Sequence, residues 1–269
     1  VRRDHSREEE IPDFTTRNDE IGDLSHALRG MTAALWTRMD AIERFAADVA
    51  HEIKNPLTSL RSAVETAARI KDIDQQRKLM SIIQDDVGRL DRLISDISDA
   101  SRLDAELSRS HREPVDLAGM LSTLADVHAT TAADGGPKLV LEIMDGEKLS
   151  VQGMEGRLVQ VFRNLIANAV TFSPPGGAIR ITASRDRKAA VVTIDDEGPG
   201  IPPGKDEAIF QRFYTERPQG EKFGTHSGLG LSISQQIVDA HDGTIRASNR
   251  IGADGKVLGA RFTVCLPAA

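Results

Sequence analysis

Four stretches in the second half of the chain hold residue types that chemistry explains better than folding does. In "MEGRLVQVFRNLIANAVTFS" (154–173), Asn164 and Asn168 are four apart, so on a helix they share a face. Asparagine is a mediocre helix former, and its neutral amide oxygen is a hard ligand suited to Mg²⁺; a solvated polar face is the other reading. "DEGPGI" (196–201) follows the strand-like run "VVTID". Its glycines let backbone approach a ligand closely, and Asp196 is placed to accept from an exocyclic amine; an ordinary Gly-Pro turn has the same letters. "GTHSGLGLSIS" (224–234) is a Gly-rich loop opening a helix, where free N–H groups at a positive dipole end suit a phosphate. It is not a Walker A loop, since no Gly-Lys-Ser/Thr follows, nor the dinucleotide fingerprint, since no parallel βαβ unit surrounds it. Between these lies "IFQRFYTERPQGEKFGTHS" (209–227), almost without periodicity, carrying Arg212, Arg217 and Lys222. These cations can pair with phosphates if the segment closes as a lid; a mobile surface loop fits the same letters.

A fifth stretch, "VAHEIKNPLTSL" (49–60), places His51, Glu52, Asn55 and Pro56 inside a long amphipathic pattern. Pro56 removes the N–H that would bond the Glu52 carbonyl, at a cost of about 3 kcal/mol in a helix interior, and leaves a bendable point. Alone, His51 reads as an exposed helix histidine.

The elements that must position these residues fall into two textures. From about Asp19, Leu24, Leu28, Met31, Leu35, Met39, Ile42, Val49, Ile53, Leu57, Leu60 and Val64 recur at spacings of mostly three and four, with a stutter at Met31–Leu35–Met39. After a turn at "KDID" a second seam runs from Leu79 to Leu103. Two long helices joined by a short turn make an antiparallel hairpin. A narrow seam buries little alone, so pairing of two hairpins into a four-helix bundle, hence a homodimer, is expected; folding of the helices back onto the C-terminal half is the alternative. Beyond "SRSHREP" (108–114), runs at 138–144, 178–185, 189–197, 243–250 and 260–267 read as half-buried strands, and 116–132, 154–173 and 227–242 as helices. The expected architecture is multi-domain: an all-α hairpin, then an α+β sandwich with one mixed sheet covered by helices. Its expected boundaries are 1–37 as a signalling helix, 38–107 as the dimerising hairpin, 108–115 as linker and 116–269 as the ligand-binding domain.

Composition narrows the partners. A net charge of -7 with no basic stripe argues against nucleic acid. One cysteine, Cys265, cannot form an internal disulfide. No signal peptide and no bilayer-length apolar run is present, and a start at Val1 suits a piece of a longer chain.

In order and spacing, "NLIANAVTFSP", "DEGPGIP", "IFQRFY" and "SGLGLSIS" resemble the N, G1, F and G2 boxes of sensor histidine kinases, and "AHEIKNPLTSL" resembles their H box. The resemblance covers about residues 38–267. "NDEIGDLSHALRGMTAAL" is similar to the second helix of a HAMP signal-transmission module. The resemblance implies an ATP-binding domain of the Bergerat type, shared with gyrase, a heat-shock chaperone family and mismatch-repair ATPases. It implies that Asn168 holds Mg²⁺ on the ATP phosphates, with Asn164 on the same face. Asp196 would accept from the adenine amine, Gly198, Gly200 and Ile201 would shape the pocket floor, and Phe172 would lie against the base. Gly228, Leu229 and Gly230 would bound the phosphates, with Arg212 nearby. ATPases of this fold carry a glutamate as water-activating base where this chain has Asn164, which fits transfer to histidine rather than hydrolysis. Thr171 stands where Lys or Arg is common, so Arg163 or a lid arginine would have to substitute. His51 would be phosphorylated, Glu52 would take its Nδ1 proton, and Asn55 would orient a water for dephosphorylating a partner. The implied protein is a cytoplasmic portion of an inner-membrane sensor, homodimeric, acting on a response-regulator receiver domain and attached to the membrane through segments outside this sequence. An ATP-gated signalling module with weak or no kinase activity is the alternative.

Overall fold

A computed structural model describes residues 12–17, 19–107, 112–132, 135–144, 149–214 and 227–269. The chain divides into two compact units, one ending at Thr58 and one beginning at Ser59.

The first unit is dominated by helix α1, Glu20–Ala67, which runs on past the division. Asp19 starts it: its carboxylate accepts from the Gly22 N–H at 3.1 Å, satisfying one of the donors that a helix start leaves open, and also from Arg17. The seam residues Leu24, Leu28, Met31, Leu35, Met39 and Ile42 are exposed in the single chain. The helix is not interrupted at Pro56. The proline is buried, and the Thr58 hydroxyl donates to the Lys54 carbonyl at 2.8 Å.

The second unit opens with helix α2, Ile73–Leu107. Asp72 caps it by accepting from the Asp74 N–H at 2.9 Å, which is why the "KDID" turn ends where it does. Next come strand β1 (Glu113–Asp116), helix α3 (Leu117–Thr131), strands β2 (Lys138–Ile143) and β3 (Ser150–Gly153), and helix α4 (Glu155–Phe172). Strands β4 (Ala178–Asp186) and β5 (Ala189–Asp195), helix α5 (Gly230–Ala240), and strands β6 (Thr244–Ile251) and β7 (Val257–Pro267) complete it. The main sheet has the order β2-β4-β5-β7-β6, with β2 and β4 parallel and the other pairs antiparallel. This is the mixed sheet the alternating runs indicate. Ile179, Ile181, Ala183, Val192, Ile194, Phe262 and Val264 are buried from it, against Leu158, Val161, Phe162 and Leu165 of α4 and Ile233 and Ile237 of α5. A helix-covered face and a more polar opposite face follow from the period-two alternation.

Two short strands were not legible in the alternation. β1 and β3 pair antiparallel as a separate ribbon, with Val115 opposite Val151. Residues 113–115 therefore belong to a strand where a linker is expected, because four residues are too few to show periodicity. Arg112 anchors the ribbon to the end of α5, donating to Asp242 Oδ2 at 2.6 Å and the Ala240 carbonyl at 2.7 Å. No helix among the described residues is long and apolar enough to cross a membrane.

His241, just past α5, is buried with both ring nitrogens engaged. The Met154 N–H lies 3.0 Å from Nε2 and must donate, so Nε2 accepts and the proton resides on Nδ1, which donates to the Ile237 carbonyl at 2.7 Å. Burial, opposed by the Ile237 bond, pushes its pKa below the ordinary 6.5. A histidine held neutral in the fold contributes stability that is complete above the unfolded pKa and is lost as pH falls from 6.5 through the lowered folded value. Urea unfolding should therefore show an acid-side loss of stability that His241→Leu reduces, while lowering stability near pH 8 by about 1–3 kcal/mol through the orphaned Met154 N–H. Unchanged slopes in the variant would contradict this assignment.

Candidate functional site

A cavity of about 230 Å³ lies between α4, the start of α5 and the ends of β5 and β7. Asn164, Asn168, Phe172, Asp196, Gly200, Ile201, Gly228 and Gly230 line it, so eight residues picked from separate stretches meet in one place. Three other candidates do not line it. Gly198 contributes its backbone instead, Leu229 is fully buried in the core, and Arg212 is exposed. Leu229 is an apolar residue at a helix entrance, where packing against the core wins over presentation to a ligand. Arg217 and Lys222 lie outside the described residues.

Asp196 is the polar centre. Its main chain continues the β5–β7 ladder, with the Asp196 N–H donating to the Ala260 carbonyl at 3.0 Å. Its Oδ1 accepts from Ala260 N–H at 2.8 Å and Gly198 N–H at 2.9 Å. Among the described residues nothing donates to Oδ2, which leaves one carboxylate oxygen for an outside donor. Burial raises the Asp196 pKa, while the two amides and the Arg250 charge pull it back down. A buried carboxylate held in this way, in a cavity, is suited to accept from a neutral N–H such as an exocyclic amine.

Two glycines of the loop after β5 are required by space. A Cβ at Gly198 would lie 2.7 Å from the Phe172 carbonyl oxygen. Gly200 has φ +80°, and a Cβ there would meet Asn249 Oδ1 at 2.6 Å. That asparagine pins the loop: Oδ1 accepts from Ile201 N–H at 2.6 Å and Nδ2 donates to the Ile201 carbonyl at 2.7 Å.

Asn164 and Asn168 do share a face toward the cavity. The Asn164 amide donates to the Gly230 carbonyl at 3.2 Å, tying α4 to the start of α5. Asn168 is half-buried in the lining. The donor set here is neutral amide rather than carboxylate, which fits Mg²⁺ whose charge is balanced by phosphate oxygens rather than by protein. The α5 start leaves N–H groups open for those phosphates. Phe210 stands edge-on to Phe262 at a ring separation of 6.4 Å, closing the apolar side.

Sequence reasoning missed the support behind Asp196. Asp195, buried on the opposite face of the strand end, takes Arg261 through two bonds of 2.7 and 2.6 Å and has Arg250 at 3.5 Å. Arg250 in turn donates to the Asp196 carbonyl at 2.7 Å. The Asp195 bonds raise the Arg261 pKa further above its ordinary value. The adjacent acids in "IDDE" and the polar "SNR" inside a strand were the available signals. His51 and Asn55 are exposed on α1, and Glu52 is half-buried beside them.

Residues 153–269 match the family described as histidine kinase-, DNA gyrase B- and HSP90-like ATPase, and residues 41–106 match the His Kinase A (phospho-acceptor) domain. The class is thus a phospho-acceptor helical hairpin joined to an ATPase-type lobe. The chain belongs to the sensor histidine kinase family. It is 53% identical to sensor protein ChvG of Rhizobium meliloti (strain 1021) over all of this chain and 48% of that protein. It is 31% identical to the signal transduction histidine-protein kinase BaeS of Escherichia coli (strain K12), over 95% of this chain and 54% of that one. The chain thus spans about half the length of these curated relatives. Among solved structures, histidine kinase ThkA in complex with response regulator protein TrrA matches with TM-score 0.67 and 25% identity, over 87% of this chain and 64% of that one.

Removing the Asp195 carboxylate by Asp195→Ala should destabilise the second unit by about 1–3 kcal/mol, since it takes both bonds from Arg261 and the carboxylate from beside Arg250. Amide exchange at Asp196 and Ala260 should accelerate in that variant; wild-type exchange there would show that the ion pairs do not hold the clamp.

Proposed function

We propose that this chain is the ATP-dependent kinase portion of a two-component sensor. It binds Mg-ATP in the cavity around Asp196, phosphorylates His51, and passes the phosphoryl group to an aspartate on a response-regulator receiver domain. The observation that carries the reading is the half-committed Asp196 carboxylate in one cavity with Asn164, Asn168 and the open start of α5. In this reading Asp196 Oδ2 accepts from the adenine amine, Phe172 lies beside the base, and the Gly228–Gly230 stretch meets the phosphates. Asn168, with Asn164 beside it, holds Mg²⁺, which supplies charge neutralisation on the phosphate oxygens.

The transfer balances without a further reactant. His51 Nε2 attacks the γ-phosphorus, the bond to the β,γ-bridging oxygen breaks, ADP leaves, and the Nδ1 proton of the phosphorylated ring passes to Glu52. Asn55, four residues on from His51, shares its face and in this reading orients a water for the reverse job on the regulator. The exposed seam of α1, continued by Leu57 and Val64 and by Ile82, Val87 and Ile94 of α2, supports a homodimer in which a second hairpin covers those side chains. We assign residues 38–107 to this hairpin and 116–269 to the catalytic lobe. The complex of ThkA with TrrA supports a receiver domain as partner. The HAMP-like start supports attachment to an inner-membrane sensor through segments outside this sequence.

Position 171 favours a second reading, an ATP-binding signalling module with little transfer. Thr171 has no charge to offer a phosphate, and its hydroxyl donates back to the Ala167 carbonyl at 3.0 Å. Incubation with ATP labelled on the γ-phosphate separates the readings. The kinase gives an acid-labile, base-stable label that His51→Gln abolishes without changing ATP affinity, and Asp196→Asn weakens ATP binding by about 10- to 100-fold. ATP binding without protein label would establish the module instead, and persistent label in His51→Gln would remove His51 from its role.

A further inference from the structure

We infer that Arg92 of α2 contacts the terminal phosphate of the nucleotide, so that the helix leading into the lobe supplies part of its phosphate site. This rests on the ATP-binding reading above. Helix α2 packs on α5, and Gly230 and Leu231 at the start of α5 line the cavity. Arg92 and Asp96 line the same cavity, so they enter it from the α5 side, where the open N–H groups of the helix start are found.

A triphosphate held by backbone amides and one divalent ion still carries excess negative charge, and a guanidinium is the side chain best matched to phosphate oxygens. Position 171 does not provide one. Arg163 is exposed on α4 and does not line the cavity. Among the described residues, Arg92 is the cationic side chain that does. Gly88 lies one turn before it, and even a Cβ at that position would stand 3.6 Å from Arg92 Nη1. The far end of α2 is fastened to the lobe by Glu106, which takes Arg157 of α4, and Arg157 also donates to Gln160 Oε1 at 2.8 Å. Asp96 lines the same cavity, so its carboxylate charge opposes a phosphate held there. The site thus reads the terminal phosphate through a charge that belongs to the signalling helix, and a shift of α2 would change affinity for ATP more than for ADP.

The test is equilibrium binding of the β,γ-imido analogue of ATP and of ADP, each with Mg²⁺, to this chain and its variants. Arg92→Gln should weaken the imido analogue about tenfold and ADP by less than about twofold. Arg92→Lys should recover part of the loss, and Asp96→Asn should tighten the analogue. Thermal unfolding should change little, because Arg92 is exposed and a pairing at the surface contributes little. Equal effects on both nucleotides, or none, would overturn the assignment of Arg92. Failure of the unaltered chain to bind either nucleotide would instead overturn the ATP-binding reading on which it rests.

Discussion

The pairing of β5 with β7 is the constraint on which the site depends. It carries the chain to Asp196 with the ladder still intact, so that the Ala260 amide and carbonyl both face the aspartate. A carboxylate buried here would be costly if left unpaired. Two amides on one oxygen, and Arg250 on the main-chain carbonyl, offset that cost while leaving the other oxygen open. The glycines beyond it and the Asn249 amide then fix the loop that forms the cavity floor. Disturbing the strand pair would move every one of these groups together.

Much of this was legible in the letters, and the reasons are physical. Alternation marked the five strands of the main sheet because one face is buried under helices. The i,i+4 asparagines of α4 were legible because two poor helix formers on one face call for a partner. Asp196 and the glycines stood out because strand ends and Gly-rich turns limit what else those residues can be doing. What escaped were relations between distant positions. Asp195, Arg250 and Arg261 lie in three different strands, and only register brings them together. Leu229 sits between two cavity-lining glycines and yet points into the core, since a helix entrance turns successive side chains in different directions. The β1–β3 ribbon was too short for a pattern.

The first unit presents a different balance. Its apolar seam is exposed in the single chain. The proline in α1 does not break the helix, although it has no N–H to donate within the helix one turn below the histidine. The bendable point expected there shows no interruption: α1 runs on from Glu20 to Ala67.

The central claim is that Asp196 accepts a hydrogen bond from the six-position amine of adenine. Guanine carries a carbonyl at that position, and its oxygen would face the open carboxylate oxygen with no proton between them. Titrating this chain with Mg-ATP and Mg-GTP under identical conditions tests this most directly. The account predicts saturable binding of ATP and at least about tenfold weaker binding of GTP. Equal affinity for the two nucleotides would contradict it.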